Sequence, residues 1–319
     1  MQKFILFLVA LSLFGCDNSG DIEKDISKIP IEVSVMRTEK QFANTSIDSL
    51  GSLKEKFPMF FSQRIPDSIW IARMQSPLHQ EMADEILKIF PNQTNLVATL
   101  GPLFQHIKYY FPRFRAPTTV TYINDVDYQS RVIVASDTLL LLSLDNYLGA
   151  DHRYYSGIKR YIVENLKASQ ISSDVAKAYA QKYIAPPTKN TFLEQMIYFG
   201  KQLYLQELWL PNTSDASKIG YTDKQWQWAE DNQVDMWRYF VEKELLFSTD
   251  PGLTPRFISN APFSKFYLEL DNESSPMAGR YLGWKIVRAF MKNNDITPQQ
   301  LLVFDAEALF KKSKYKPKK

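Results

Sequence analysis

Three residues within one short polar stretch have side chains that could bind a divalent cation. Asp145, Asp151 and His152 lie in the segment LDNYLGADHRYY, where two carboxylates and an imidazole could hold a metal or a proton. Their spacing differs from that of an EF-hand loop, whose ligands occupy alternate positions. The alternative is that these residues have structural roles, with Asp145 forming a turn with Asn146 and Asp151 capping a helix. We favour this interpretation and keep a metal-dependent hydrolase with an atypical site as the alternative.

The rest of the sequence offers no complete catalytic motif. It contains no GxSxG nucleophile elbow, no GxGxxG or P-loop, and no HExxH zinc helix. The three histidines, His79, His106 and His152, are too far apart in sequence for any two to share one helix face. We therefore expect no bound cofactor and no enzymatic activity.

The only cysteine lies at the end of an N-terminal apolar segment. Residues 4–14 are apolar or small, follow a lysine, and are too few to span a bilayer stably. Leu13-Phe14-Gly15-Cys16 has the pattern of a bacterial lipobox, in which the cysteine thiol is acylated after the signal peptide is removed. The sequence predicts a signal peptide over residues 1–15 and a lipid anchor, such as palmitate, on Cys16.

Charge is distributed unevenly along the 319 residues. The net charge is +3, but the last nine residues contain six lysines and no acid, so the preceding chain is slightly acidic. Such a body has no excess of basic residues with which to bind nucleic acid. We expect a lipidated flexible tether over residues 16–30, one globular domain over residues 31–310, and a solvated lysine-rich tail over residues 311–319.

The pattern of apolar residues predicts a mainly helical α+β fold. Residues 31–36 alternate as a strand does, and a helix is expected over residues 38–57. The segments APTTVTYIND, SRVIVAS and DTLLLLSLDN are rich in β-branched and apolar residues, and predict three strands of a small antiparallel sheet. Helix starts are indicated by capping boxes at Thr191 and Thr222, by Ser275-Pro276, and by Thr297-Pro298.

Several stretches of the chain together resemble the gliding-motility lipoproteins GldB of the Bacteroidetes. Besides the lipobox, they are TLLLLSLDNYLGAD (138–151), MIYFGKQLYLQELWLP (196–211), GYTDKQWQWAEDN (220–232) and SSPMAGRYLGWKIVRAFMKNN (274–294). The resemblance implies a cell-envelope protein, anchored by lipid to a bacterial membrane and facing the periplasm. Such a protein supports gliding motility and the linked type IX secretion apparatus in a structural or assembly role, in contact with other envelope proteins of that machinery.

Within these stretches, six residues are candidates for an interaction surface or for packing that defines the family. They combine two glycines, two cations and two aromatic side chains, and include no acid or nucleophile at reactive spacing. They are Gly200, Lys201, Tyr204, Arg280, Gly283 and Trp284.

A second similarity is to zincin-type peptidases of bacteria, and it implies a degenerate zincin-like fold. In those enzymes an HExxH helix precedes a later helix that supplies a further metal ligand. Here Phe199 occupies the position of that later carboxylate, and residues 172–184, in the place of the earlier helix, contain no histidine. If the fold is shared, its metal centre has been lost.

A third alternative is a lipoprotein that binds the cell wall. Trp226 and Trp237 fit one apolar helix face, whereas Trp228 projects elsewhere and could stack on a sugar. The lysine tail could contact an anionic polymer or lipid surface.

Overall fold

The structure is a computed structural model that describes residues 19–58, 60–61 and 64–317. The predicted signal segment and Cys16 lie outside the described residues. The expected mainly helical α+β fold is confirmed, since many helices surround one small sheet.

The sheet contains four short strands in the order β1-β2-β4-β3. Their bounds are Val35–Arg37 for β1, Thr118–Tyr122 for β2, Val132–Val134 for β3 and Leu139–Ser143 for β4. Strands β1, β2 and β4 are parallel, and only β3 pairs antiparallel with β4. Val120 of β2 pairs with both Met36 and Leu141, which places it in the centre of the sheet.

The predicted antiparallel arrangement is therefore wrong for most of the sheet, although all three predicted strands between residues 116 and 146 exist. A tight connection joins β3 to β4, so this pair forms a hairpin at one edge. Strand β4 then lies beside β2, and two reversals of chain direction between them make the pair parallel. Strands β1 and β2 are separated by helices, which provide the long connection that parallel neighbours need.

The described residues of the N-terminal third form six helices, five of them between β1 and β2. They are α1 (Ser19–Ser27), α2 (Thr38–Asn44), α3 (Leu50–Lys56), α4 (Asp67–Gln75), α5 (Pro77–Ile89) and α6 (Thr94–Tyr110). The single helix expected over residues 38–57 is divided between α2 and α3. Thr45 is extended and Ser46 follows it, residue types that compete poorly for helix interiors.

Helix α1 lies in the segment expected to be a flexible tether. Ile26 is 1% exposed, and Glu23 contacts the Nε2 atom of His106 on α6 at 3.2 Å. The Gln105 side chain of α6 also donates to the carbonyl of Ile29. These contacts attach residues 19–29 to the body, so the segment available as a free tether is shorter than residues 16–30.

Ten helices follow the sheet. They are α7 (Arg160–Val163), α8 (Ile171–Tyr183), α9 (Phe192–Trp209), α10 (Asp215–Ile219), α11 (Asp223–Asp231), α12 (Gln233–Glu242), α13 (Leu253–Phe257), α14 (Ala278–Asn293), α15 (Pro298–Val303) and α16 (Ala306–Ser313). The capping box at Thr222 is formed as predicted, and the helix predicted to start at Thr297 also begins with a capping box.

The start of α9 uses a variant of the predicted capping box. The Thr191 hydroxyl accepts from the backbone N–H of Glu194, as expected. The Glu194 carboxylate instead accepts from the backbone N–H groups of Thr188, Lys189 and Asn190. One acidic side chain thus orders the loop before the helix as well as the helix start.

Two large apolar cores share helix α9. Its first half contributes Phe192, Met196 and Ile197 to a C-terminal core built around α14. Its second half contributes Leu205 and Trp209 to an N-terminal core beneath the sheet and α6. Helix α9 therefore joins the two parts of the fold.

Candidate functional site

The six candidate residues lie on α9 and α14, which cross at very close range. A Cβ atom added to Gly200 would lie 2.4 Å from the carbonyl of Gly283, and one added to Gly283 would lie 1.9 Å from the Met196 carbonyl oxygen. Only glycine allows this approach, since a methyl group would collide with backbone atoms that cannot turn aside. The two glycines therefore define the helix crossing.

Lys201, next to this crossing, is nearly buried and holds the end of α15. Its ammonium donates to the carbonyl oxygens of Phe304 at 2.7 Å and Leu302 at 3.3 Å. Burial lowers the pKa of Lys201 to about 8, although the charges of Asp305 and Glu194 act in the opposite direction. Lys201 thus acts as a C-terminal cap between two helices.

Tyr204 lies one turn after Gly200 on α9. Its ring is partly buried against the C-terminal core. Burial raises the pKa of its hydroxyl to about 12, and the negative charge of Glu207 adds to this effect. Tyr204 is therefore a neutral packing residue at physiological pH.

Trp284 anchors a charged network between α9, α10 and α14. Its fully buried indole donates from Nε1 to Glu207 at 3.0 Å. Arg288 donates to the same carboxylate oxygen at 2.7 Å and to Asp215 at 2.6 Å. The guanidinium of Arg288 also stacks over the Trp284 ring at 4.0 Å from its centroid. These hydrogen bonds hold α9, α10 and α14 together.

Arg280 is half-buried beside the ring of Phe199, with its guanidinium 4.0 Å from the ring centroid. Its Nε atom is buried and has no hydrogen-bond partner within the described part of the chain. Burial lowers the pKa of Arg280 to about 10. Of the six candidates, Arg280 is the one with a buried side-chain nitrogen that lacks a partner among the described residues. Phe199, the residue at the expected zincin ligand position, thus supports a cation.

The alternative metal residues have three different sets of partners. Asp145 is fully buried and accepts from the Ser143 hydroxyl and from the backbone N–H groups of Val126 and Asn124. Burial raises the pKa of the Asp145 carboxyl, although these donors oppose the shift. The carboxylate thus orders the turn after β2, and its chemistry is that of a structural acceptor.

The other two members of that set face other charges. Asp151 is exposed and pairs with Arg160 at 2.7 Å, and the His152 imidazole lies 3.6 Å from Glu85. His152 also accepts from the backbone N–H of Tyr154 and so caps a short turn. Across the described ranges, no three His, Cys, Asp or Glu side chains are grouped to hold a metal ion.

The aromatic and lysine-rich features proposed for wall binding are partly ordered. Trp228, like Trp226 and Trp237, is half-buried against the C-terminal core. The Tyr315 ring packs edge-on against Trp237 at 5.2 Å, and its hydroxyl accepts from Gln233. The tail is therefore attached to the body as far as Tyr315.

Two polar groups around α8 and α9 were not anticipated from sequence. Asp174 of α8 is buried and pairs in bidentate fashion with Arg131, at 2.7 and 2.8 Å. On α9, Gln202 and Gln206 are buried, each with an amide atom that has no partner in the described part of the structure. The signal in the sequence was the placement of two glutamines four residues apart within an apolar helix face.

None of the helices in the described ranges is both long and apolar enough to cross a membrane. Comparison with curated proteins finds no match, and comparison with solved structures finds none either. The model of one protein family, described as gliding motility protein GldB, matches residues 19–317, which is nearly the whole chain. The match includes the α9–α14 crossing and all six candidate residues, so the chain belongs to the GldB family of gliding motility proteins.

Proposed function

We propose that this protein is a lipid-anchored component of the cell envelope that supports gliding motility and the linked type IX secretion apparatus. The family match over residues 19–317 is the observation that carries the proposal. The lipobox pattern supports acylation at Cys16, three residues before helix α1 begins. The body then faces the periplasm, where it contacts other envelope proteins of the machinery.

The role we propose is structural or one of assembly. The family-defining segments supply close helix packing through Gly200 and Gly283, a helix cap through Lys201 and an ion-pair network through Trp284. These arrangements hold helices together, which supports a structural role. Their rigidity suits a protein whose surface must be recognised by fixed partners.

The test is conditional depletion in the native bacterium, followed by complementation. Wild type should restore both surface spreading and protein secretion, whereas Cys16→Ala should restore neither while the protein accumulates unanchored. Phe14→Ala is the matched control, since it changes the same motif but keeps the thiol. Labelled palmitate should be incorporated into the wild type and into Phe14→Ala, but not into Cys16→Ala. Normal spreading and secretion after depletion would refute the proposal.

A further inference from the structure

A cavity between α8, α9, α10 and α14 is lined by three cationic side chains and no acidic one. The cations are Lys177 of α8, Lys218 of α10 and Arg280 of α14, and the buried amides of Gln202 and Gln206 on α9 face the same space. Three positive charges around one small cavity repel one another unless an anion or a carboxylate lies among them.

Only one of the three cations has a carboxylate partner. Lys218 pairs with Asp215 at 3.1 Å. Within residues 19–58, 60–61 and 64–317, no carboxylate oxygen lies within ion-pair distance of Lys177 or Arg280. Asp174 is the acid whose negative charge acts on Lys177. Its two carboxylate oxygens already accept hydrogen bonds from Arg131.

The uncharged groups of the cavity are also incompletely bonded. Gln202 is 2% exposed and its Nε2 atom has no acceptor, and the Nε atom of Arg280 has none either. Gln206 is 1% exposed, with an unpartnered Oε1 atom. Leaving such groups unbonded costs about 1–3 kcal/mol each, so native proteins rarely tolerate several at one place. Unused donors beside two unpaired cations specify a ligand that carries acceptor oxygens and negative charge.

We infer that this cavity binds an oxyanion, the carboxylate or phosphate group of a polar ligand, between Lys177, Arg280 and Gln202. The cavity has a volume of about 20 Å³, counted as the space that the centre of a water molecule can occupy. This is enough for a charged terminal group but not for a whole metabolite. Lys177 also lines an adjoining surface groove of about 440 Å³. The rest of the ligand would lie in this groove, whose walls include Tyr128, Asn165, Gln181 and Asn260.

The charges around Lys177 favour an anion beside it. Burial, together with the positive charges of Arg280 and Arg131, lowers the pKa of Lys177 to about 8, although the negative charge of Asp174 acts in the opposite direction. An anion bound between the two cations would reverse that effect, so binding takes up protons above pH 8.

The experiment uses the full chain from residue 16 onwards without lipid, and measures Tm in chloride, acetate or phosphate at one ionic strength and pH 7. At 50 mM, the bound oxyanion should raise Tm by about 2 °C over chloride. A rise in acetate alone identifies a carboxylate ligand. A rise in phosphate identifies a phosphate group only if it is lost in the site variants, because phosphate also stabilises proteins by exclusion from their surface. Equal Tm values in all three salts would overturn the inference.

Single substitutions test whether the rise in Tm comes from an anion bound in this cavity. Lys177→Met and Arg280→Met should remove the salt-specific rise, whereas Lys243→Met, on an exposed helix end, should keep it. Because Arg280→Met could unfold the protein, the side-chain Nε–H resonance of Arg280 in the wild type gives a second measurement. It should move during titration with the active anion and be absent in Arg280→Lys. A Tm rise that persists in Lys177→Met with an unmoved Arg280 resonance would place any binding elsewhere and refute the site.

Discussion

Gly200 of α9 and Gly283 of α14 face each other so closely that the missing Cβ of Gly200 would lie 2.4 Å from the Gly283 carbonyl. The crossing depends on two residues without side chains, located where the two longest C-terminal helices meet. Much of the C-terminal core packs around this crossing, because both helices contribute buried residues on either side of it.

Gly283→Ala should strongly destabilise the protein. Its methyl group would lie 1.9 Å from the Met196 carbonyl oxygen, so the helices must separate and lose packing. We expect a loss of about 3 kcal/mol or more in the free energy of unfolding, measured by urea denaturation. Gly51→Ala is the control: no atom lies within 4 Å of the added methyl group, and alanine favours the helix. Equal stability of the two variants would contradict the close crossing.

Glu207→Gln should weaken the contact between α9 and α14. The substitution keeps the size of the side chain but removes the charge that accepts from Trp284 and Arg288. We expect a loss of about 1–2 kcal/mol in unfolding free energy, together with a change in tryptophan fluorescence. Asp235→Asn breaks an exposed pair with Arg238 and should change neither measurement.

Asp174→Asn should destabilise the protein, because Asp174 forms a buried ion pair with Arg131 beneath the sheet. Arg131 would lose its counter-charge, and the fully buried Tyr147 hydroxyl would lose a charged acceptor at 3.0 Å. Removing one partner from a buried pair costs about 3 kcal/mol, since the other charge stays buried. Tyr147→Phe removes only the hydroxyl and should cost about 1 kcal/mol. Thermal and urea unfolding of both variants would establish the order; the reverse order would contradict this account.

Stability should increase with pH in a defined window. Burial lowers the pKa of Lys177 and Lys201 to about 8, against 10.5 for an ordinary lysine. Between pH 8 and about 10 the unfolded chain therefore binds more protons than the folded one, and the unfolding free energy rises. The expected gain is about 2 kcal/mol per lysine, measured by urea denaturation at pH 7.5 and 9.5.

Single substitutions separate the two lysines. Lys177→Met should remove part of the pH dependence, because the variant lacks the amine on which Arg280, Arg131 and Asp174 act. Lys201→Met should remove the rest. It also leaves the carbonyl oxygens of Leu302 and Phe304 without their donor. Lys243→Met should keep the full dependence. A pH profile that is level in the wild type would show that neither lysine is desolvated.

The sequence predicted the elements of this fold better than their arrangement. Capping residues such as Thr222 and Thr297 act within one turn of chain, so local chemistry determines the helix starts. Strand direction depends on where the chain returns, and residues 118–143 read equally well as an antiparallel meander. Helix α1 was missed because its one fully buried side chain, Ile26, gains its contacts from tertiary packing.

The fold brings the six candidate residues together on α9 and α14. Glycines and aromatic residues four positions apart predict a packed helix face, and α9 and α14 meet there. Arg280 approaches Lys177, which is 103 positions away in sequence, only in the fold. No local pattern reports such an encounter between like charges.

Because α9 contributes buried residues to both apolar cores, the unfolding of either core exposes apolar surface on the same helix. Loss of the N-terminal core would expose Leu205 and Trp209, and loss of the C-terminal core would expose Phe192 and Met196, on one continuous helix. Amide hydrogens along α9 should therefore exchange only through global opening. A force applied to the N-terminal core therefore reaches the C-terminal core along α9, and also through the hydrogen bonds from Asn165 to Gly220 and from Gln170 to Ser217.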